Sequence, residues 1–202
     1  MPERYPIPGG RVRTEEVIRR SRFITTVDCA PDVAAAQAFI AEMRQEFADA
    51  THNGYAYVVG PPGSTTQVGM SDDGEPSGTA GRPMLTVLLN SGLGDIVAVV
   101  TRYYGGAKLG TGGLIRAYSG GVKAALEILP HSERIPWVQL HCRIPYHWLE
   151  PLQRMLPKYE AELISQDYGV SVTLGLRLPK EHLQAFSEHL TNLTNAEAEI
   201  EH

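Results

Sequence analysis

The sequence predicts an α+β protein of two domains: an α/β sandwich over residues 1–130 and a ferredoxin-like domain over residues 131–202. Three observations carry this. At 202 residues and 43% hydrophobic content, the chain can bury two modest cores. The stretch Leu129-Pro130-His131-Ser132-Glu133-Arg134-Ile135-Pro136 puts two prolines and polar residues between well-patterned regions, so it reads as a linker. After it, strand-period and helix-period segments follow in the order β-α-β-β-α-β, the split-βαβ arrangement.

In the C-terminal part, Trp137–Ile144 alternates, with Val138, Leu140, Cys142 and Ile144 on one face. Tyr146–Lys158 spaces Trp148, Leu149, Leu152, Met155 and Leu156 as a helix, and Trp137, Trp148 and Tyr146 are expected in the core. Ala161–Gln166 and Val170–Leu178 are strands joined by Asp167-Tyr168-Gly169. Glu181–Leu193 is a helix with Leu183, Phe186 and Leu190 inward, and Ala196–Ile200 supplies a last strand.

The N-terminal part mixes both periods. Arg22–Ala30 is a strand. Pro31–Phe47 is a helix, with Val33, Ala36, Phe39, Ile40 and Met43 along one stripe. Tyr55–Gly60 and Gln67–Ser71 are strands flanking the turn Pro61-Pro62-Gly63-Ser64, and Thr79–Leu89 is helical after its Gly81 and Pro83. Asp95–Tyr104 is a continuous apolar run, the mark of a central strand buried on both faces, and Thr111–Leu129 is a helix. Helices are therefore expected to cover the sheet.

No apolar run approaches the roughly 20 residues that span a bilayer, and Met1–Pro6 has no apolar leader, so no membrane association and a cytosolic location are expected. Cys29 and Cys142 are too few for a disulfide scaffold or a four-ligand zinc site. The net charge of −5 does not by itself suggest a nucleic-acid binder, but the charge is uneven, −1 over residues 1–130 and −4 over 131–202. Residues 96–126 hold Arg102, Lys108, Arg116 and Lys123 and no acid.

That acid-free stretch contains a strand, a glycine-rich loop and a helix start, where free backbone amides and the positive end of the helix dipole favour an anion. The residues expected to bind an anion or nucleic acid are Arg102, Tyr104, Gly105, Gly106, Lys108, Gly110, Thr111, Gly112, Gly113, Arg116, Ser119 and Lys123. Arg116, Ser119 and Lys123 share a helix face, and Tyr103, Tyr104 and Tyr118 offer rings for stacking on bases. The alternative is packing: Gly113, Ala117, Gly120, Gly121 and Ala124 also suit a helix lying close on a sheet. A Walker A loop fails because Thr111 stands where its lysine belongs, and a dinucleotide fingerprint fails at Ile115. Ala117-Tyr118-Ser119-Gly120-Gly121 resembles a nucleophile elbow, but lies inside a helix rather than in a strand-to-helix turn. The seven histidines are scattered without zinc spacing, and His52 is assigned no role.

A second segment clusters Ser71, Asp72, Asp73, Gly74, Glu75, Pro76, Gly78, Thr79 and Gly81. Its carboxylates are expected to cap the following helix or to pair with Arg102, Lys108 and Arg82. Asp72, Asp73 and Glu75 are weak candidates for a hard cation, since the calcium-loop pattern is not met, and no metal or cofactor is expected.

The motifs S-D-D-G-E-P-S-G-T-A-G-R-P-M-L and R-Y-Y-G-G-x-K-L-G-T-G-G-L-I-R-A-Y together resemble the signature of the Impact family, over about Thr14–Leu129. Residues 137–202 resemble the C-terminal domain of its bacterial branch. The resemblance implies an N-terminal fold similar to the second domain of ribosomal protein S5, and a C-terminal one similar to the last domain of elongation factor G. It also implies a link to translation. Eukaryotic relatives regulate translation through an additional domain not seen in this sequence, so that role is not expected to transfer. The leading expectation is a non-enzymatic regulator that binds RNA or the ribosome. The alternatives are an enzyme or sensor for a phosphorylated small molecule, with a divalent metal at Asp72, Asp73 or Glu75, and a module that binds a protein partner.

Overall fold

The computed structural model describes residues 4–201, which form two compact units divided between Arg134 and Ile135. The division lies four residues beyond the expected one at 130/131, because the supposed linker is partly a strand. His131–Arg134 pairs antiparallel with Tyr5–Pro8, matching Tyr5 to Arg134 and Pro8 to His131, and so belongs to the N-terminal unit.

In chain order, the N-terminal unit contains β1 (Tyr5–Pro8), β2 (Val12–Ile18), β3 (Ser21–Cys29), α1 (Val33–Glu46), β4 (His52–Val59) and β5 (Gln67–Ser71). α2 (Gly81–Leu89), β6 (Ile96–Tyr103), α3 (Thr111–Glu127) and β7 (His131–Arg134) complete it. Five strands make one antiparallel sheet in the order β2-β3-β6-β4-β5. The apolar run of β6 is the central strand, and its alternate side chains enter two cores. Val97 and Val99 meet Phe39, Ile40 and Met43 of α1, while Ile96, Ala98 and Val100 face Met84 and Leu88 of α2 and Leu114, Tyr118 and Val122 of α3. Helices on both faces explain why an antiparallel strand carries the unbroken apolar pattern more typical of parallel sheets.

Local chemistry sets the ends. α1 begins at Val33 rather than Pro31, capped by Asp32, whose carboxylate accepts the Ala35 amide at 2.7 Å. The first residue of α2, Gly81, is glycine because a Cβ there would lie 2.8 Å from the Ser71 backbone of β5. β4 begins at His52, three residues before the predicted Tyr55.

The C-terminal unit contains β8 (Trp137–Ile144), α4 (Leu149–Met155) between two single 3₁₀ turns, β9 (Glu162–Tyr168), β10 (Val172–Pro179), α5 (Leu183–Leu193) and β11 (Glu199–Glu201). Its antiparallel sheet runs β11-β8-β10-β9, the ferredoxin-like order, over a core that includes Leu140, Cys142, Ile144, Leu174, Leu176, Phe186 and Leu190. Two expectations here are corrected. Trp137 and Tyr146 are not core residues: Trp137 lies under Arg177, and Tyr146 stacks on Tyr168 at the surface, while Trp148 packs only partly against the core. The last strand starts at Glu199 rather than Ala196, because Asn195 and Ala196 take left-handed conformations just after α5. No helix among the described residues is long and apolar enough to cross a membrane.

One local feature runs against its own residues. Ile18 pairs with Ser21, leaving Arg19-Arg20 as a two-residue hairpin turn, with φ of 47° and 70°. Two central residues at positive φ mark a type I′ turn, which favours Asn-Gly. For side-chain-bearing residues this conformation costs roughly 1–2 kcal/mol each. The paired substitution Arg19→Asn with Arg20→Gly should therefore raise stability by about 1 kcal/mol, measured by chemical denaturation.

Candidate anion-binding surface

The acidic segment folds back on itself between β5 and α2. Asp72 receives the Gly78 amide at 2.7 Å and the Ala80 and Gly81 amides at 2.9 Å each, capping α2 from outside the helix. Burial pushes its carboxyl up, but the three backbone donors outweigh this and leave it below the usual carboxylate value. Ser71 accepts the Asp73 amide at 3.1 Å, and Thr79 turns back onto the Pro76 carbonyl at 2.7 Å. Asp73, itself at positive φ, accepts Arg44 and the Asn53 amide at 2.7 Å each. Its carbonyl faces His52 Nδ1 at 2.8 Å. Gly74 and Gly78 take positive φ in this loop.

Glu75 goes inward. It is only 7% exposed, and its Oε1 receives Arg102 Nη1 at 2.7 Å and the Tyr118 hydroxyl at 2.8 Å. Burial first, and then the Glu75 charge and hydrogen bond, raise the Tyr118 hydroxyl far above its ordinary value, so it stays a donor. The carboxylates thus cap and pair, with Arg102 and Arg44 as partners; Lys108 and Arg82 take no part. No cluster of three or more potential metal ligands occurs among the described residues.

Arg102 is where the sequence reading needs correcting. As the end of the central strand it is 5% exposed, held by Glu75 and by Ser21 Oγ at 3.3 Å, between the rings of Phe23 and Tyr104, with Nε left without an acceptor. It is an internal cation and offers no open contact to an anion. The aromatic rings divide similarly. Tyr118 is buried edge-on against Phe23 at 5.6 Å, Tyr103 donates to Asp49 at 2.7 Å, and only Tyr104, 46% exposed, presents an open face. Ser119 Oγ donates to the Ile115 carbonyl at 2.7 Å within its own helix.

The glycines also separate into two groups. A Cβ on Gly105 would collide with the Arg20 backbone, one on Gly121 with Thr25, and one on Gly113 would press on Leu109 at 3.0 Å. These three are packing residues. Gly106, Gly110 and Gly120 have open space around them, and Gly112 nearly so. α3 starts at Thr111 behind Gly110, with no side-chain cap and no acid in its first turn, so its first amides are free to take an anion.

The remaining cations converge. Most arginines of the N-terminal unit are paired: Arg11 with Asp28 and Glu42, Arg13 with Glu46, Arg22 with Glu15, Arg44 with Asp73, and Arg134 with Asp95. Among the described residues, Arg19, Arg20, Arg82, Lys108, Arg116 and Lys123 have no carboxylate partner, and all are exposed. From one outward ridge of α3, Arg116 borders a 350 Å³ cleft shared with Arg19 and Glu16, and Lys123 borders an 880 Å³ groove shared with Arg82 and Glu127. Lys108 borders a third cleft with Thr111 and Tyr104. Lys108, Arg116 and Lys123 are among the residues expected from the sequence, and all three are exposed. Arg19 and Arg20 are not among the expected residues, and Arg82 is expected only as a partner for the acidic segment; the lack of an acidic partner in three dimensions is what adds them here.

Two consequences can be measured. Arg102→Met strands a buried carboxylate and should cost about 3–5 kcal/mol of stability, whereas the exposed Arg116→Ala should change it by under about 0.5 kcal/mol. Asp72, with a depressed folded pKa, stabilises the fold fully above its unfolded value of about 3.9 and loses that contribution as pH falls through the folded value. The stability gap between wild type and Asp72→Asn should therefore be largest at neutral pH and shrink below about pH 4 in denaturation series.

Comparison with known proteins agrees with the two-unit division. Residues 19–126 match the Impact N-terminal domain, and residues 142–197 match a domain of unknown function (DUF1949). The chain is 41% identical to the IMPACT family member YigZ of Escherichia coli, over 98% of this chain and 97% of that protein. It is 40% identical to the IMPACT family member YvyE of Bacillus subtilis, over 92% of this chain and 85% of that one. A crystal structure described as a hypothetical protein superposes with a TM-score of 0.71 at 41% identity, over 99% and 97% of the two chains. The chain belongs to the Impact family.

Proposed function

We propose that this protein is a non-enzymatic, cytosolic, translation-associated binding protein that engages RNA or the ribosome along the outward ridge of α3. The observation that carries the reading is the distribution of unpaired charge. Arg19, Arg82, Lys108, Arg116 and Lys123 border three clefts around one helix, with Arg20 beside Arg19 in the hairpin turn, while Arg11, Arg13, Arg22 and Arg44 are neutralised by acids. In a chain of net charge −5, such a concentration gives local attraction to phosphates without general basicity.

Three further features fit a single-stranded or irregular RNA. Tyr104 presents a ring beside Lys108, a combination that supports stacking with phosphate contact. The uncapped start of α3 adds amide donors to the same end of the ridge. The Arg19-Arg20 turn keeps two guanidinium-bearing residues in a conformation that Asn-Gly would occupy at lower cost, a local penalty that fits a functional demand for charge at the hairpin tip.

The test is binding of a labelled single-stranded RNA across a salt series. If four of the six cations meet phosphates, log affinity should fall against log salt with a slope of about −3. Arg116→Glu with Lys123→Glu should weaken binding at least about tenfold at low salt. Arg19→Asn with Arg20→Gly should also weaken it, while making the fold more stable. Salt-independent binding, or affinity unchanged in both pairs, would refute the proposal.

A further inference from the structure

Beneath the start of α3 lies a cleft of about 530 Å³ that shares Tyr104, Lys108 and Thr111 with the proposed RNA surface but adds groups that surface does not use, His52 and Glu75. Pro76, Leu109, Leu114 and the ring of Tyr104 give it apolar walls, and its polar groups are Thr51, His52, Glu75, Arg102, Lys108 and Thr111. A concave, mostly apolar space of this size with a few converging polar groups is the usual form of a small-molecule site.

Its floor holds an unfilled pair of acceptors. His52 Nδ1 faces the Asp73 carbonyl at 2.8 Å. A carbonyl only accepts, so Nδ1 carries a proton, and in the neutral form of the ring Nε2 is an acceptor. Nε2 lies 4.0 Å from Glu75 Oε2, too far for a hydrogen bond. Glu75 Oε1 is occupied by Arg102 and Tyr118, but no hydrogen bond reaches Oε2 among the described residues. The carboxylate is nevertheless held rigidly, since its other oxygen is anchored in the core. Two fixed acceptors side by side call for donors from a ligand. Lys108 and Thr111, in the uncapped first turn of α3, line the same cleft and call for an anion.

We infer that this cleft binds a mononucleotide, with its ribose hydroxyls donating to Glu75 Oε2 and His52 Nε2, its phosphate at Lys108 and the α3 amides, and its base against Tyr104 and Leu109. Vicinal hydroxyls supply two donors from one small unit, and a phosphate on the same sugar supplies the anion. The site overlaps the proposed RNA surface at Lys108 and Tyr104, but Arg19, Arg82, Arg116 and Lys123 do not line it, so variants at Arg116 and Lys123 tell the two readings apart.

The test is calorimetric titration of the full chain with adenosine, guanosine, cytidine and uridine monophosphates, ribose 5-phosphate, the corresponding 2′,3′-dideoxynucleotides and inorganic phosphate. At least one mononucleotide should bind with a dissociation constant below about 1 mM, and its dideoxy form at least about tenfold more weakly. Lys108→Glu, at an exposed position, should abolish binding while leaving the melting temperature unchanged. His52→Leu should weaken it, and Arg116→Glu with Lys123→Glu should leave it intact. No binding of any mononucleotide up to 10-fold above that threshold, equal binding of the dideoxy form, or binding indifferent to Lys108→Glu would overturn the inference. Loss of RNA binding in the ridge variant with mononucleotide binding retained would separate the two sites.

Discussion

The N-terminal unit is organised around one buried ion pair, Glu75 with Arg102, completed by the Tyr118 hydroxyl. The three residues come from a loop, the central strand and the helix over it, so the pair joins elements that sequence keeps far apart. Two charges this deep are stable only when each satisfies the other, and removing one leaves an uncompensated charge in the core. The pair also fixes the ground on which the clefts stand. It holds the acidic loop over the end of β6, where Asp72 and Asp73 then cap α2 and tie down Asn53 and Arg44. Ser21 links the same Arg102 to the hairpin that carries Arg19 and Arg20, and also accepts the Gly105 amide at 3.2 Å.

Seen from that pair, the unusual residues of the two family motifs divide into support and surface. Asp72, Asp73, Arg102, Gly105, Gly113, Tyr118 and the Oε1 atom of Glu75 are committed to internal contacts. Lys108, Gly106, Gly110, Gly112 and Arg116 face outward. A motif rich in charge and glycine therefore does not translate directly into a binding site, since a large share of it builds the frame that aims the remainder. The same division explains why cations away from the glycine-rich motif matter: Arg19, at the hairpin tip, and Arg82, in the first turn of α2 and within the acidic motif, border clefts shared with α3.

The sequence made legible what periodicity can encode. The run Ile96–Tyr103 announced a central strand, the stripe Ala36, Phe39, Ile40 and Met43 announced α1, and alternation through Leu140, Cys142 and Ile144 announced β8. The capping role of the acidic segment followed from its place before a helix. Other features had no such signal. β2 is an edge strand whose Arg13, Glu15 and Glu16 break the apolar alternation, and its turn lacks the glycine or asparagine that flags a hairpin. β7, His-Ser-Glu-Arg between prolines, is wholly exposed and resembles a linker. Arg102 reads both as an anion contact and as a partner for the acidic segment, and only the sheet order, which brings Glu75 onto it across 27 residues, decides for the pairing. His52 likewise gained meaning only once Asp73 and Glu75 stood on either side of its ring.

Functionally, the account rests on charge left over after folding. Internal pairing removes most arginines of the N-terminal unit from the surface potential, and what remains lies along α3, where an extended anion can follow it. The most direct measurement is ribosome co-sedimentation through a sucrose gradient at low and raised salt, comparing wild type with a variant in which Arg116 and Lys123 are both reversed to glutamate. The account predicts that wild type travels with ribosomal particles at low salt and is released as salt rises, while the variant, equally folded, stays at the top. Co-migration of both proteins, or of neither, would contradict it.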